Sequence, residues 1–537
     1  LYGAQGSTVT GDIRPPGQTG PGIRSLGQCI WRYHPQSKRY EIFAEGGGNS
    51  FGLEIDTLGR IFSGHNGDKT RGFHYVQGGY YQKGFEKHGS LSNPYAFGYF
   101  GYMAHPNVPR FTHTFVIYDA PVGPPGPLAL PENYFGSLFA INPLQGTVIR
   151  SRVSPDRSSL KTEDIDVPLS SKDTWFRPVD IQLGPDGAIY VCDMYEQRID
   201  HASHYQGRID RERGRIWRIR GKGTTPQPPL NLEATSSDEL DERLSDPNRS
   251  IRQNALLTMA WRNDSELIPK FKQQLATRTD DAVVNQLWAL YLQGGLTEET
   301  AIGLLSHGNP IVRQWTMRLL GDENTINTPV RERLSEIARK ESDSRVRSQL
   351  ASTLRRLPGE QSLPILREML NQDADASDIH IPLLLWWALE SKADSDREAI
   401  LKIFTSSDVW KLKLVRDHLI ERLMRRYASS GTQADLLTCA KLLNESPNAE
   451  DAKILLAGFE KAFEGRSLAG LPDELVAAIA RVGGGSLALK LRQGQPDALR
   501  DSLGLIADEK TPKADRLKYL QILAEIHPPA AQDVLLA

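Results

Sequence analysis

The chain has 537 residues, and its 64 basic and 66 acidic side chains give a formal net charge of -2. This length is too great for one hydrophobic core, so two or more domains are expected. The near-neutral balance excludes the global basic field of a nucleic-acid-binding protein. The sequence contains no run of about 18 apolar residues, so it predicts no membrane-spanning helix.

The amino-acid composition changes sharply near residue 228. The first 228 residues contain 29 of the 42 aromatic residues and 31 of the 46 glycines, which favours short strands joined by tight turns. The remainder is rich in Leu, Ala, Arg and Glu, as helices are. The sequence therefore predicts an all-β domain in residues 1–220, a linker at 221–233, helical repeats in 234–375, and further helices, as degenerate repeats or a cap, in 376–537.

The strongest strand pattern lies between Trp175 and Arg220. Val179–Leu183 alternates apolar and polar residues, a Gly-Pro-Asp-Gly turn follows, and an apolar run ends at Cys192. After a polar loop, Gly214–Ile219 forms a third strand, and this order is typical of one β-propeller blade. The order recurs from Asn49 onward. About four blades are visible, some of them partial, so we predict a β-propeller that is incomplete at its N-terminus, with further blades before the first residue.

Polar residues follow equivalent strands of the two best-defined blades. When the blades are aligned on their turns, His65 and Asn66 fall where Asp193 and Met194 fall. Loops after equivalent strands of a propeller emerge on one face, so these side chains are expected to meet around a central opening. The candidate site residues are Asn49, His65, Asn66, Arg71, Arg177 and Asp193.

The residue types suggest a role for each member of this group. His65 is the candidate catalytic base, because the imidazole pKa suits proton abstraction near neutral pH. Arg177, at the entrance of a strand, and Arg71, in the Gly-rich insertion after His65, are candidate cations for a developing negative charge. Two alternatives remain open: Asp193 could simply accept hydrogen bonds from loop amides, and Arg177 could pair with Asp180 or a loop carboxylate.

The remaining histidines and cysteines predict no metal centre. The three cysteines, Cys29, Cys192 and Cys439, are far apart and match neither a zinc spacing nor a haem-attachment motif. The other histidines of the insertion match no helical metal pair, and two more fall in a charged loop that is interpreted as solvated. These histidines are His74, His88, His105, His113, His201 and His204.

From about residue 234 the apolar period changes from 2 to 3.6 residues, which indicates helices. An Asp or Asn cap, an apolar residue and then Arg recur at the start of helices, and the apolar markers are spaced 33, 28 and 34 residues apart. This pattern predicts a solenoid of helix pairs that resembles HEAT repeats, with the markers buried on successive second helices. The markers are Ile251, Val284, Val312 and Val346. The arginines after them (Arg252, Arg313 and Arg347) are predicted to form a ladder with the cap carboxylates.

Two runs carry a resemblance to a known family. Residues 32–84, and residues 175–201 together with 214–219, resemble the planctomycete-type membrane-bound dehydrogenase family. In that family a propeller precedes HEAT-like repeats and, often, a c-type cytochrome domain. The resemblance implies an extracytoplasmic protein of the periplasm or cell envelope that oxidises a sugar or similar alcohol and passes electrons to a cytochrome. Any haem c domain would lie after Ala537.

The first region is also distantly similar to quinoprotein glucose and aldose-sugar dehydrogenases. Asn49, Gly52 and His65 match their pattern, whereas Gly48 and Gly64 replace an Arg and a Glu. No cofactor is evident in the chain itself, but the similarity implies pyrroloquinoline quinone with calcium. His65 would then take the hydroxyl proton, Asn49 and Arg177 would orient substrate or cofactor, and Asp193 would brace the rim. The alternative hypothesis is a non-catalytic propeller and solenoid scaffold that binds protein or glycan.

Overall fold

A computed structural model describes residues 1–7, 9–65, 67, 69–83, 90–107, 111–119, 130–199, 205–206, 210–222, 230–466, 468, 471–528 and 531. The chain divides into two compact units. The first contains residues 1–357 and 378–384, and the second contains residues 358–377 and 385–537. The first unit thus contains both strands and helices. The boundary predicted at 221–233 marks the change in composition and lies within this unit.

Short strands account for the regular structure in the first 220 residues. In chain order they are β1 (Tyr2–Gln5), β2 (Thr10–Ile13), β3 (Ile23–Leu26), β4 (Cys29–His34), β5 (Arg39–Gly47), β6 (Glu54–Ile55), β7 (Ile61–Ser63), β8 (Phe73–Tyr75) and β9 (Tyr80–Lys83). They continue with β10 (Phe115–Tyr118), β11 (Ser137–Asn142), β12 (Thr147–Asp156), β13 (Ser159–Ser170), β14 (Pro178–Leu183), β15 (Ile189–Asp193) and β16 (Arg215–Ile219). The strand-rich character predicted for this region is confirmed.

Most sheets consist of strands that are neighbours in the chain. The orders are β1-β4-β5-β9, β2-β3, β6-β7-β8, β10-β11-β12-β13 and β14-β15-β16. Neighbouring strands pair antiparallel, except that β9 pairs parallel to β5. The turn between β14 and β15 has Gly187 at φ 77°, a left-handed conformation that glycine adopts without strain. Strand, tight turn, strand, loop and strand therefore follow one another here as the sequence predicts.

Adjacent sheets share one apolar core. Val116 of β10, Phe139 of β11, Ile181 of β14 and Val191 of β15 are fully buried in the same cluster. The hydroxyl of Tyr118 also donates to the Gly187 carbonyl at 3.1 Å. The alternating apolar positions of each strand supply this core, because successive strand residues point to opposite faces of a sheet.

Every regular element in the described residues after 230 is helical. The α-helices are α1 (Ser237–Arg243), α2 (Arg249–Arg262), α3 (Ile268–Thr277), α4 (Val283–Leu292), α5 (Glu298–Leu304), α6 (Pro310–Leu320), α7 (Thr328–Lys340), α8 (Ser344–Arg356) and α9 (Gly359–Met369). They continue with α10 (Ile381–Glu390), α11 (Arg397–Ile403), α12 (Ile420–Ser430), α13 (Gln433–Glu445), α14 (Ala449–Ala462), α15 (Asp473–Arg481), α16 (Leu487–Arg492), α17 (Pro496–Ala507) and α18 (Lys513–Ile526). In the described part of the chain, none of these helices combines the length and apolar character needed to cross a bilayer.

The repeat markers occupy equivalent positions. Ile251, Val284, Val312 and Val346 lie in the first turns of α2, α4, α6 and α8, and all four are buried. Three of these helices begin with an Asn or Asp side chain that accepts a backbone N–H, as the predicted cap requires. The predicted burial of the markers is therefore confirmed.

The arginines that follow the markers contact the loop before each helix. Arg252, Arg313 and Arg347 each donate to the carbonyl oxygen six residues earlier, at 2.6, 2.8 and 2.9 Å. Arg313 also pairs with the carboxylate of Glu341 at 2.8 Å. The ladder with cap carboxylates stays a prediction at the other two positions. The carbonyl contacts show in addition that the loop before each helix presents oxygens that need donors when they are buried.

The strands and the first helices are in direct contact within the first unit. The indole of Trp315 on α6 donates to the Leu58 carbonyl at 2.8 Å, in the turn between β6 and β7. A Cβ added to Gly59 would lie only 2.3 Å from the same indole. The absence of a side chain at Gly59 therefore allows the helix to pack closely on this turn.

Candidate functional site

Asp193 lies at the end of β15, and both of its carboxylate oxygens accept hydrogen bonds from its own sheet and the adjoining loop. Its Oδ1 accepts the backbone N–H groups of Arg177 and Tyr195 at 2.8 and 3.0 Å. Its Oδ2 accepts Arg215 Nε at 2.8 Å and Trp217 Nε1 at 3.0 Å. Burial acts to raise the pKa of Asp193, but these hydrogen bonds outweigh it and hold the pKa below its usual value. These are the contacts of an aspartate that holds a loop in place.

Arg177 lies beside Asp193, and its guanidinium group donates hydrogen bonds to backbone carbonyls of the same loop region. Nη1 donates to the Phe176 carbonyl at 2.7 Å, and Nη2 donates to the Gln197 carbonyl. These donors meet neutral oxygens of the loop rather than the carboxylate of Asp180. Arg177 and Asp193 thus lie side by side in contacts that order the loop.

His65 lies at the end of β7 and is only 6% exposed. Its ring stacks on Tyr102 with centroids 5.6 Å apart, and it meets the edge of Phe73 at 5.4 Å. A third side is covered by Gly48, where an added Cβ would lie 1.9 Å from His65 Nδ1. A catalytic base must come within hydrogen-bond reach of its substrate. Among the described residues, the imidazole packs against the Tyr102 and Phe73 rings and the backbone at Gly48.

The two departures from the quinoprotein pattern have the same physical cause. Any side chain at Gly48 would collide with the His65 ring. A Cβ at Gly64 would lie 2.6 Å from the carbonyl oxygen of His113 and 2.9 Å from that of Thr112. The Arg and Glu of the quinoprotein pattern therefore do not fit at positions 48 and 64 in this structure.

Arg71 is a fully buried partner of Asp164. Its Nε and Nη2 contact the two carboxylate oxygens at 3.1 and 2.5 Å, and Nη1 donates to Thr112 Oγ1 at 3.1 Å. The Thr112 backbone N–H in turn donates to the His65 carbonyl at 3.0 Å. Thr112 therefore connects His65 with Arg71. The charge of Arg71 is already matched by a bidentate carboxylate.

Asn49 follows Gly48 in the chain, and its side chain bonds the backbone rather than facing an open pocket. Its Oδ1 accepts the backbone N–H of Ser7 at 3.1 Å. Asn66, the remaining candidate, lies outside the described residues. The candidates therefore form two groups, one with Asn49, His65 and Arg71 linked through Gly48 and Thr112, and one with Arg177 and Asp193.

Three of the other loop histidines considered as metal ligands are described, and each is packed into the structure. His74 Nδ1 bonds Ser159 Oγ at 3.1 Å, and burial lowers the pKa of His74. His113 stacks on Phe51 at 4.0 Å, and burial lowers its pKa to about 4. His105 contacts Thr162 and the Asn107 carbonyl.

Within the part of the chain that the structure describes, no group of three or more His, Cys, Asp or Glu side chains could hold a metal ion. His88, His201 and His204 lie outside the described residues.

A buried charge cluster that the sequence analysis missed lies between the strands and α2. Arg249 Nη2 pairs with Glu54 of β6 at 2.7 Å, and Nη1 pairs with Asp119 at 3.1 Å. Burial raises the pKa of Glu54 to about 7 and also raises the pKa of Asp119. Glu54 and Arg249 are 195 positions apart, so no local pattern could reveal the pair. Its only sequence signal is a charged residue directly after the helix cap Asn248.

Comparison with known proteins finds similarity in both parts of the chain. Residues 1–223 match a family described as a domain of unknown function (DUF7133), and residues 298–379 match HEAT repeats. The HEAT-type prediction is thereby confirmed for those residues. No curated protein matches the chain.

Two solved structures show partial similarity. One is a protein from Thermus thermophilus described as a putative oxidoreductase (glucose dehydrogenase), at 19% identity and a TM-score of 0.23. The match covers 34% of this chain and 48% of that protein, so it spans about half of the relative. The other is an engineered protein, at 16% identity and a TM-score of 0.26, with 57% of this chain and 92% of that protein covered.

Proposed function

We propose that the chain is a non-catalytic binding scaffold in which propeller-type blades are followed by a HEAT-type solenoid. The observation that carries this proposal is the packing of His65, the one candidate base, beneath Tyr102, Phe73 and Gly48. The two candidate cations give further support, since Arg71 is held by Asp164 and Arg177 by loop carbonyls. The rim side chains would then stabilise loops, and recognition would be the function.

The propeller part of the proposal is supported by contacts between the first strands of successive sheets. The backbone N–H of Ile117 in β10 donates to Glu54 of β6 at 2.9 Å. Val116 of β10 and Ile181 of β14 share one apolar cluster. First strands that neighbour one another, each leading outward into its own antiparallel sheet, are what blades around a common axis require.

The solenoid part suggests the kind of partner. Stacked helix pairs form an extended surface, and such surfaces suit long partners such as protein segments or glycan chains. The resemblance to membrane-bound dehydrogenases would place this recognition outside the cytoplasm, in the periplasm or cell envelope. The partner class is therefore a protein or glycan of that compartment.

A quinone-dependent sugar dehydrogenase that passes electrons to a cytochrome is the second candidate. It is favoured by the link between Asn49, His65 and Arg71 through Gly48 and Thr112. The residues do not fit pyrroloquinoline quinone and calcium in this arrangement. The imidazole is covered, and the guanidinium of Arg71 that could meet a quinone carboxylate is already paired. Catalysis at this site would first require His65 and Arg71 to leave their present contacts.

Dye reduction separates the two candidates. The full chain, incubated with pyrroloquinoline quinone and calcium, is assayed on a panel of sugars beside a known quinoprotein glucose dehydrogenase. We expect no turnover above the protein-free rate, together with saturable binding of a glycan or envelope protein on arrays. Turnover that His65→Gln abolishes in a folded protein would instead establish the dehydrogenase.

A further inference from the structure

A polar cavity lies inside the first compact unit, where strands β5 to β8 meet helices α6 and α8. The side chains around it include Arg60 and Gln77 from the strand region and Arg318 and Arg345 from the helices. No acidic side chain is among its lining residues. The cavity lining therefore carries cationic and amide donors without a matching carboxylate.

Arg318 is the lining residue whose charge is least satisfied. It is 7% exposed, its Nη2 donates to the Tyr2 hydroxyl at 2.6 Å, and its guanidinium carbon lies 4.3 Å from the Trp315 ring and 5.1 Å from Phe43. Within the described residues its Nε has no hydrogen-bond partner, and it forms no ion pair with a carboxylate. Buried guanidinium groups normally have an anionic partner, because desolvation of an unpaired charge is costly.

The nearby carboxylates are already used by other arginines. Asp322 pairs with Arg32 at 2.7 Å and with Arg356 at 2.8 Å, and Arg32 also pairs with Glu41. Burial acts to raise the pKa of Asp322, but the charges of the surrounding arginines, that of Arg318 included, lower it overall. Two guanidinium groups, those of Arg32 and Arg356, thus occupy these two carboxylates, and the positive charge of Arg318 remains beside the cavity.

The other arginines of the lining are neutralised locally. Arg60 pairs with Asp56 at 2.6 Å, and Arg345 pairs with Asp343 at 2.6 Å. The excess charge therefore lies at Arg318.

Gln77 supplies a hydrogen-bond acceptor on the strand side of the cavity. Its Nε2 donates to Glu41 at 3.1 Å, which fixes the orientation of the amide. Its Oε1 is buried, and among the described residues it meets no donor. The same cavity thus has one donor and one acceptor that require a partner.

We propose that this cavity binds a small oxyanion that also carries a hydroxyl group, such as hydrogen phosphate or a short hydroxycarboxylate. Arg318 Nε donates to an oxyanion oxygen, and Gln77 Oε1 accepts the ligand hydroxyl. About 40 Å³ of the cavity is open to water-sized spheres, whereas one water needs roughly 10–15 Å³. The site therefore accepts an ion of a few heavy atoms and excludes a sugar or nucleotide. This binding does not depend on the proposed scaffold function.

Equilibrium dialysis of the full chain against labelled phosphate, and calorimetry with glycolate, test the proposal. We expect saturable binding of one ion per chain. Arg318→Met keeps an apolar side chain between Trp315 and Phe43 but removes the donor, so affinity should fall about ten- to a hundredfold. The matched control is Arg152→Gln, which removes one positive charge at a side chain that is 66% exposed and should bind as the wild type does.

The hydroxyl requirement gives a second test on the wild-type protein alone. Sulfate and acetate lack the donor that phosphate and glycolate carry near neutral pH, so they should bind more weakly. Gln77→Met should remove this preference while leaving sulfate binding unchanged. If Arg318→Met fails to fold, two other measurements test the proposal. One is the preference of the wild-type protein for phosphate and glycolate over sulfate and acetate. The other is the affinity of Arg318→Lys, which retains the charge but loses Nε and should bind more weakly.

Three outcomes would overturn the proposal. One is the absence of saturable binding to folded wild-type protein at millimolar ion concentrations. Another is an equal loss of affinity in Arg318→Met and Arg152→Gln. The third is a crystal structure with the ions present that shows only water in the cavity. Binding of phosphate but not glycolate, or the reverse, would identify which oxyanion the site selects.

Discussion

Arg249, the first residue of α2, forms a buried ion pair with Glu54 of β6, with Nη2 and Oε1 2.7 Å apart. The same guanidinium contacts Asp119 and the Ile55 carbonyl. One side chain therefore connects the first helical repeat to two strand segments. A buried pair of this kind contributes little net stability, but its loss is costly because it leaves an unpaired charge.

Arg249→Met should destabilise the first compact unit by about 3–5 kcal/mol, because it leaves Glu54 and Asp119 buried without their shared cation. Urea unfolding followed by tryptophan fluorescence measures this change. The control is Arg243→Met, whose partner Asp246 lies at 3.5 Å and whose side chain is 43% exposed, so its cost should be about 0–1 kcal/mol. Equal effects of the two substitutions would contradict the assigned role of Arg249.

Glu54 should make the folded protein less stable as the pH rises from 4.5 to 7. Its pKa is raised from 4.5 to about 7 in the folded protein, because burial outweighs the attraction of Arg249. The folded state then binds more protons than the unfolded state between these values, so this contribution is complete below pH 4.5 and is lost as the pH rises through 7.

Glu54→Gln should therefore flatten the stability profile between pH 4.5 and 7 relative to the wild type. Urea unfolding at a series of pH values measures the difference between the two proteins, which removes the contributions of other groups. A wild-type profile that rises over this range relative to the variant would contradict the raised pKa.

Gly48→Ala should destabilise the protein by about 1–3 kcal/mol, because the new Cβ would lie 1.9 Å from His65 Nδ1. His65→Ala in the same protein removes the ring and should recover most of this loss, so the double-mutant cycle gives a large coupling. Gly101→Ala is the control, since a Cβ there meets nothing within 4 Å. Independent, additive effects at positions 48 and 65 would show that the ring lies elsewhere.

Val346→Asp should unfold several repeats together, because each repeat buries its apolar face only against its neighbours. Val346 is fully buried in α8, so an unpaired carboxylate there should cost a few kcal/mol, about 3–5 by analogy with other buried charges. Hydrogen exchange with mass spectrometry should show faster exchange in α6, α7 and α8 at once. Ser342→Asp, at an exposed position before the same helix, should leave the exchange unchanged.

Local patterns predicted the secondary structure well. The alternation at Val179–Leu183 and the cap at Asn309 depend on neighbours in the chain, and the strand and helix they indicate are present. The same holds for the burial of Val312, because helical periodicity alone identifies the apolar face.

The candidate site was harder to predict, because its chemistry depends on contacts between distant residues. The sequence offers His65 as a base, yet Tyr102 and Gly48 cover its ring. Arg71 lies 93 positions from Asp164, so nothing near it indicates that its charge is already matched. A residue type suggests what a side chain could do, but its neighbours in space determine whether it is available.

The division into compact units has a practical consequence for anyone who wishes to produce the strand-rich region by itself. A fragment ending at Arg220 would lack Arg249 and Trp315, and so would expose Glu54 to water and uncover the turn at Gly59. The fragment boundary suggested by composition therefore cuts through a packed surface. Expression of residues 1–357 would keep that surface intact.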